Sequence, residues 1–152
     1  MSKLRYGIVG AGTIARQHAE RIVARDDAEL VAIADPSTKV RAETVAKFNI
    51  PAEYDQYTDM LASEKLDCVV VAVPNAFHGP ATLAALGAGA NVLCEKPPAM
   101  NAGEAKAMWD LAESKGVRLQ YGLNNRFTGE AETAKAYLDA RRLGQVYHST
   151  GQ

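Results

Sequence analysis

The 152-residue sequence has few of the features that mark a specialised protein. It contains only two cysteines, Cys68 and Cys94, at a spacing that matches no metal motif. Both lie in apolar, strand-like stretches, so we predict reduced core residues and neither a disulfide nor a metal site. The formal net charge is −1, which argues against a nucleic-acid-binding protein. No apolar run is long enough to cross a membrane, so no membrane partner is expected.

A secretory signal is also missing from the sequence. Residues 1–5 lead directly into a strand-like run and lack an apolar h-region and a cleavage site. With the unpaired cysteines, this predicts a cytoplasmic protein. The 47% of hydrophobic residues and 23% of charged residues are typical of a globular domain, and the length is enough for one.

Strand-like and helix-like segments alternate along the chain, a pattern typical of an α/β fold with a parallel sheet. We predict strands over residues 4–9, 29–34, 52–54, 67–73, 91–94 and 118–121. We predict helices from about 13 to 23, 38–48, 56–62, 77–87, 101–116 and 128–143. Residues 67–73 are apolar without alternation, which indicates a strand buried on both faces. The expected fold is a doubly wound parallel sheet, the Rossmann fold, with strand order 3-2-1-4-5-6.

The predicted sheet is complete near residue 121, and the chain continues beyond it. We assign residues 1–123 to one domain, and residues 124–152 to a connecting helix and the first strand of a second domain. That last strand, over residues 146–150, would have no neighbour, and proteins usually avoid such unpaired backbone groups. We therefore expect the chain to be an incomplete, inactive piece of a longer enzyme that lacks its substrate domain. A free-standing cofactor domain is the alternative.

The loop from Gly10 to Ala15 follows the first strand and precedes the first helix, the setting in which G-x-G-x-x-G/A predicts dinucleotide binding. Gly10 allows a tight turn, Gly12 allows close approach of a pyrophosphate, and the small Ala15 allows the helix to pack against the sheet. The helix N-terminus offers N–H groups to phosphates. Asp35 ends the second strand, about 20 residues further on, where an acceptor for a ribose 2′-hydroxyl is expected.

A second group of polar residues follows the fourth and fifth strands. Pro74, Asn75 and His78 come after the fourth strand, and Glu95 and Lys96 after the fifth. In open α/β sheets, ligands bind at the carboxyl ends of the strands, where the strand order reverses. We therefore expect Gly10, Pro74, Asn75 and Lys96 to converge on one crevice.

Lys96 is the strongest catalytic candidate in that group. An ammonium beside a substrate hydroxyl can orient it or stabilise a developing alkoxide, and desolvation can prepare a lysine for acid–base chemistry. The simpler interpretation is a solvated lysine paired with Glu95. Likewise, Asn75 could be a turn former and His78 a residue at the start of a helix.

Together these motifs resemble the N-terminal domain of the glucose–fructose oxidoreductase, inositol dehydrogenase and rhizopine-catabolism (Gfo/Idh/MocA) family. The resemblance covers essentially the whole chain and rests on the residues 10–15, Asp35-Pro36, Pro74-Asn75-x-x-His78, Glu95-Lys96-Pro97 and 124–127. Members of that family join a Rossmann domain to an α+β domain and use NAD or NADP to oxidise or reduce sugars, polyols and related hydroxyl compounds. The resemblance therefore implies a hydride-transferring oxidoreductase with a sugar-like or polyol-like substrate.

The resemblance also implies roles for individual residues. The pyrophosphate would be held by Gly10, Gly12, Thr13, Ile14 and Ala15, and the adenosine ribose by Asp35. The cofactor crevice would be lined by Pro74, Asn75 and His78, and the nicotinamide would lie near Glu95 and Lys96. Lys96 corresponds to the family's catalytic lysine, and Asn124 and Arg126 to the floor between the two domains, a weaker assignment to substrate binding.

NAD is the expected cofactor, with NADP the less favoured alternative. Asp35 would repel a 2′-phosphate, and no arginine follows it directly, although Arg41 lies further along the next helix. The resemblance also implies that the intact enzyme is a homo-oligomer and leaves the state of this chain open. Two other functions stay open: a non-catalytic nucleotide-binding or dimerisation module, and an NAD-dependent glycoside hydrolase of the same family.

Overall fold

A computed structural model describes residues 2–148 of the chain. They form two compact units that are divided at the Gly122–Leu123 bond. The first contains β1 (Leu4–Val9), α1 (Thr13–Val23), β2 (Ala28–Ala34), α2 (Thr38–Phe48), β3 (Ala52–Tyr54), α3 (Tyr57–Ser63), β4 (Cys68–Val71), α4 (His78–Gly87), β5 (Asn91–Cys94), α5 (Ala102–Lys115) and β6 (Leu119–Tyr121). Within residues 2–148, no helix is both long and apolar enough to cross a membrane.

The six strands form one parallel sheet in the order β3-β2-β1-β4-β5-β6, which confirms the predicted topology. β4 is at the centre, and Val69, Val70 and Val71 are at most 2% exposed, as expected of a strand covered on both faces. This strand is shorter than predicted, because its ladder with β1 and β5 ends at Val71. The strand order reverses between β1 and β4.

Helices cover both faces of the sheet, and neighbouring residues of β1 point to opposite layers. Ile8 packs in one cluster with Ala15 and Ala19 of α1. Val9 packs in the other with Ala85 of α4. The small alanines bring α1 close to the sheet, so its N-terminus lies directly beyond the end of β1.

Two side chains cap the start of α5. The Asn101 side chain accepts a hydrogen bond from the Glu104 N–H at 2.9 Å. The Glu104 carboxylate accepts one in turn from the Met100 N–H at 2.7 Å, so the two side chains satisfy N–H groups at the helix start. Gly116 ends the helix in the left-handed conformation.

The second unit differs from the prediction at its carboxyl end. Its helix, α6 (Gly129–Asp139), begins one residue after the predicted start, with Thr128 as its N-cap, but ends before residue 143. Arg141 adopts a φ of 53°, and the Arg142 N–H donates to the Tyr137 carbonyl, a bond that closes the helix. The two arginines therefore follow the helix and are not part of its last turn.

The predicted strand over residues 146–150 is wrong for its first part. Residues 146–148 are not in a strand, and a strand forms only where a second strand is available to pair with it. Residues 149 and 150, the rest of that prediction, lie outside the residues that the structure describes.

Candidate functional site

A groove of about 660 Å³ opens where β1, β2 and β4 end, at the point where the strand order reverses. This is where open α/β sheets bind their ligands. The groove is lined by Val9, Gly10, Gly12, Thr13, Ile14, Ala34, Asp35, Pro36, Val40, Asp55, Gln56, Tyr57, Ala72, Val73, Pro74 and Phe77.

The glycines of the first loop meet different constraints. Gly10 has a φ of +101°, and its N–H donates to the Ala34 carbonyl at 2.7 Å. A Cβ at Gly10 would lie 2.4 Å from the Ala72 carbonyl oxygen, so only glycine fits the turn. A Cβ at Gly12 would have no heavy atom within 4 Å and would stand in the groove. Gly10 therefore serves the fold, whereas Gly12 leaves space for a ligand.

We expect Gly10→Ala to lower the free energy of unfolding by about 3 kcal/mol or more, because it combines left-handed strain with a backbone clash. Gly89→Ala is the matched control, since Gly89 has a φ of +86° but open space around its Cβ position. It should cost only about 1–2 kcal/mol. Urea unfolding of both variants measures the difference, and equal losses would contradict the importance of the Ala72 contact.

The N-terminus of α1 faces the groove without a side-chain cap. Its N-cap residue is Gly12, which has no side chain to offer, and the first intrahelical bond runs from the Arg16 N–H to the Gly12 carbonyl. Thr13 and Ile14 line the groove, and Ala15 is fully buried behind them. Uncapped N–H groups at the positive end of a helix dipole form a binding site for an anionic phosphate.

Asp35 attaches the glycine loop to the end of β2. Its Oδ2 accepts a hydrogen bond from the Ala11 N–H at 2.8 Å, and its Oδ1 accepts one from the Ser37 N–H at 2.8 Å. Each carboxylate oxygen has a second lone-pair site. The side chain can therefore brace the loop and still accept hydrogen bonds from a ligand hydroxyl.

Arg41 lies beside this end of the groove, but its charge is already paired. Its Nε donates to Glu53 Oε2 at 2.9 Å, and its Nη1 lies 2.6 Å from Asp55 Oδ1. Nη1 also donates to the backbone carbonyl of Asp35. The Arg41 side chain is only 9% exposed, so the guanidinium is held in a fixed position.

Glu95 pairs with a histidine that the sequence reasoning missed. Its Oε1 lies 2.9 Å from His18 Nε2, and its Oε2 accepts a hydrogen bond from the Lys96 N–H at 3.2 Å. Burial alone would raise the pKa of the Glu95 carboxyl, but the His18 hydrogen bond, the Lys96 N–H and the charges of both residues hold that pKa below its usual value. His18 follows the buried Ala15 by three positions, and this spacing was the available signal of an inward-facing side chain.

Lys96 is exposed, and its ammonium forms no ion pair with any residue between 2 and 148. The Glu95 carboxylate binds His18 instead. The structure thus does not show the solvated Lys96–Glu95 pair that was the simpler interpretation of the sequence.

His78 is buried below the groove and does not line it. Its Nδ1 lies 2.6 Å from the Pro97 carbonyl oxygen and its Nε2 lies 2.9 Å from the Val73 carbonyl oxygen. The ring therefore ties the turn after β4 to the turn that carries Lys96. Asn75 begins a short 3₁₀ helix, Asn75–Phe77, and is exposed outside the groove lining.

The structure brings together part of the predicted site. Six of its residues line the groove: Gly10, Gly12, Thr13, Ile14, Asp35 and Pro74. Five others lie in the same unit but not in the lining: Ala15, Asn75, His78, Glu95 and Lys96. Asn124 and Arg126 are exposed in a 3₁₀ helix of the second unit, Asn124–Phe127.

Known proteins are similar to this chain in sequence and fold. A model of the oxidoreductase family with an NAD-binding Rossmann fold matches residues 4–123. A D-glucoside 3-dehydrogenase of Escherichia coli is 37% identical over 99% of the chain and 43% of its own length. A D-xylose 1-dehydrogenase (NADP(+)) of Haloferax volcanii is 36% identical over 97% of the chain and 45% of its own length.

Among solved structures, the WlbA dehydrogenase of Bordetella pertussis, in complex with NADH and UDP-GlcNAcA, superimposes with a TM-score of 0.90. It is 31% identical and is matched over 95% of this chain and 44% of its own. The chain thus spans less than half the length of these relatives. With the parallel sheet, the glycine loop and the family match over residues 4–123, the chain belongs to the Gfo/Idh/MocA oxidoreductase family and contains its NAD-binding Rossmann domain.

Proposed function

We propose that this chain is the cofactor-binding part of an NAD-dependent dehydrogenase that oxidises or reduces a hydroxyl carbon of a sugar, polyol or related compound. The observation that carries the proposal is the uncapped N-terminus of α1, which opens into the groove beside Gly12. The relatives of known activity support the substrate class, since they include dehydrogenases of glucosides and of xylose.

The volume of the groove, about 660 Å³, lies in the range of small-molecule sites, and its lining supports a dinucleotide as the ligand. The N–H groups of Thr13 and Ile14 bind the pyrophosphate, and Gly12 leaves room for it. The Asp35 carboxylate accepts hydrogen bonds from the adenosine ribose. NAD, when bound, supplies the hydride chemistry, and the chain supplies its position.

The residues after β4 and β5 complete the site beyond the phosphates. Pro74 closes the groove wall, and Asn75 lies next to it on the surface. Lys96 moves a proton to or from the substrate oxygen. Glu95 fixes the turn on which Lys96 lies, because its carboxylate contacts His18 and accepts a hydrogen bond from the Lys96 N–H. His78 holds the same turn from below. The family resemblance assigns Asn124 and Arg126, which lie in the second unit, to substrate binding.

We further propose residues 1–123 as the cofactor domain and residues 124–152 as the connection to a substrate domain. The break between the two compact units, after Gly122, supports this division. The intact enzyme is a cytoplasmic homo-oligomer in this proposal. The two free thiols, Cys68 and Cys94, are consistent with a reducing compartment.

Calorimetric titration with NADH and NADPH tests the cofactor site directly. We expect NADH to bind more tightly than NADPH, and Gly12→Val to weaken NADH binding strongly because its side chain would extend into the open groove. The free energy of unfolding should fall by only about 1 kcal/mol, the effect of a poorer N-cap residue. Absence of binding by the unaltered chain would contradict the proposal. Normal NADH binding by the Gly12→Val variant would show that the phosphates bind elsewhere.

Two other functions are separated by assays of the intact protein. A non-catalytic module would bind NADH but turn over no sugar or polyol, and Lys96→Ala would not change its activity. An NAD-dependent glycoside hydrolase would release sugar without accumulating NADH. A dehydrogenase accumulates NADH in proportion to the oxidised product.

A further inference from the structure

We propose that Asp55 masks Arg41 from the adenosine end of the groove, and that this pairing sets the preference for NAD over NADP. The inference rests on the cofactor site proposed above. It assigns a specificity role to two residues outside the glycine loop and the end of β2.

The first support is the geometry of the Arg41 guanidinium. It donates to the backbone carbonyl of Asp35, whose side chain lines the groove where the ribose is expected. A planar guanidinium at this place is suited to bind a phosphate through paired N–H groups. The charge is therefore next to the position that distinguishes the two cofactors.

The second support is the unequal solvent exposure of the two carboxylates that pair with Arg41. The Arg41 side chain is 9% exposed and Glu53 is 46% exposed, whereas Asp55 is 68% exposed and lines the groove. Arg41 itself is not part of the lining. Asp55 is thus the partner on the groove side of the guanidinium, and Glu53 holds Nε.

The third support is the balance of charge at this end. Asp35 and Asp55 both present carboxylates to the groove, and Arg41 is paired with both Glu53 and Asp55. A 2′-phosphate would meet two negative charges and a guanidinium that has no free charge to offer. A 2′-hydroxyl carries no charge and meets only acceptors that it can bind.

The single substitution Asp55→Asn, made in the full 152-residue chain, tests whether Asp55 masks Arg41. We expect the Kd for NADPH to fall about tenfold, because the Nη1 group of Arg41 loses its counter-charge, and the Kd for NADH to change less than about twofold. Calorimetry or NADPH fluorescence measures both constants. Asp27→Asn is the matched control: Asp27 pairs with Arg25 at the opposite, amino end of β2, so the same charge change should leave the ratio unaltered.

The Arg41→Gln background separates unmasking from simple repulsion. If unmasking of Arg41 carries the gain, Asp55→Asn should lower the Kd for NADPH much less in that background than in the otherwise unaltered chain, because only the direct repulsion by Asp55 is then relieved. An equal gain there would overturn the proposal in favour of direct repulsion by Asp55. If Arg41→Gln does not fold, the salt dependence decides: a new contact to the phosphate makes NADPH binding by Asp55→Asn weaken with added salt, and a flat profile overturns the proposal.

The same titrations distinguish failure of this inference from failure of the proposed function. If the unaltered chain binds NADH and Asp55→Asn leaves the NADPH constant unchanged, only the masking is wrong. If the unaltered chain binds neither cofactor, the cofactor site itself is wrong.

Discussion

Lys96→Ala in the intact enzyme is expected to lower kcat by roughly 10²–10⁴-fold, the range that positioned acid–base groups contribute. The Kd for NADH should change by less than about twofold, because Lys96 does not line the groove and forms no ion pair with the residues that the structure describes. Steady-state kinetics and a cofactor titration give the two numbers.

Two further variants define the role of Lys96. Lys96→Arg keeps the positive charge but cannot release a proton near neutral pH, so it should recover little of the lost kcat if proton transfer is the role. Lys115→Ala removes an exposed charge at the carboxyl end of α5 and should leave kcat unchanged. Normal kcat in Lys96→Ala would show that the lysine is not part of the chemistry.

Asp35→Ala is expected to weaken NADH binding by about 100-fold and NADPH binding much less. Hydrogen bonds to a charged acceptor contribute about 1.5–3 kcal/mol each, and the 2′-hydroxyl of NADH loses its bonds to Asp35 in this variant. The 2′-phosphate of NADPH is instead relieved of the repulsion by the Asp35 carboxylate. The ratio of the two Kd values should therefore narrow, and an unchanged ratio would show that Asp35 does not contact the ribose.

The control for Asp35 must preserve the loop. The alanine variant also loses the acceptors for the Ala11 and Ser37 N–H groups, so part of its effect could come from a loosened turn. Asp35→Asn removes the charge and keeps one oxygen that can accept from Ala11. If charge dominates, the asparagine variant narrows the cofactor ratio while its unfolding free energy stays closer to that of the unaltered chain.

The topology and the groove were predictable because they depend on local patterns. Continuous β-branched runs such as Val69–Val71 identify central parallel strands, and a glycine loop between a strand and a helix has few uses. Because β1 and β2 are parallel, their carboxyl ends lie at the same edge of the sheet, which places Asp35 beside the loop. The ends of helices and strands were less predictable. Arg141 ends α6 in a left-handed conformation, which the residue type arginine does not predict.

The side-chain pairs of the site were not predictable in the same way. His18 and Glu95 are 77 positions apart, and their contact depends on the packing of α1 against the sheet. The pairing of Arg41 with Glu53 and Asp55 depends on where β3 ends. No periodicity or motif encodes such contacts, because they join residues from elements whose relative placement is set by the core.

The His18–Glu95 contact has a consequence for transplanting cofactor preference between relatives. The helix whose N-terminus we propose as the phosphate site also contacts, through His18 about one turn further along, the Glu95 side chain of the turn that carries Lys96. A loop graft that rotates α1 would displace the His18–Glu95 contact together with the proposed phosphate site. Cofactor engineering in this fold should therefore exchange α1 together with the Glu95–Pro97 turn as one unit, or leave α1 untouched and alter only the side chains around Arg41.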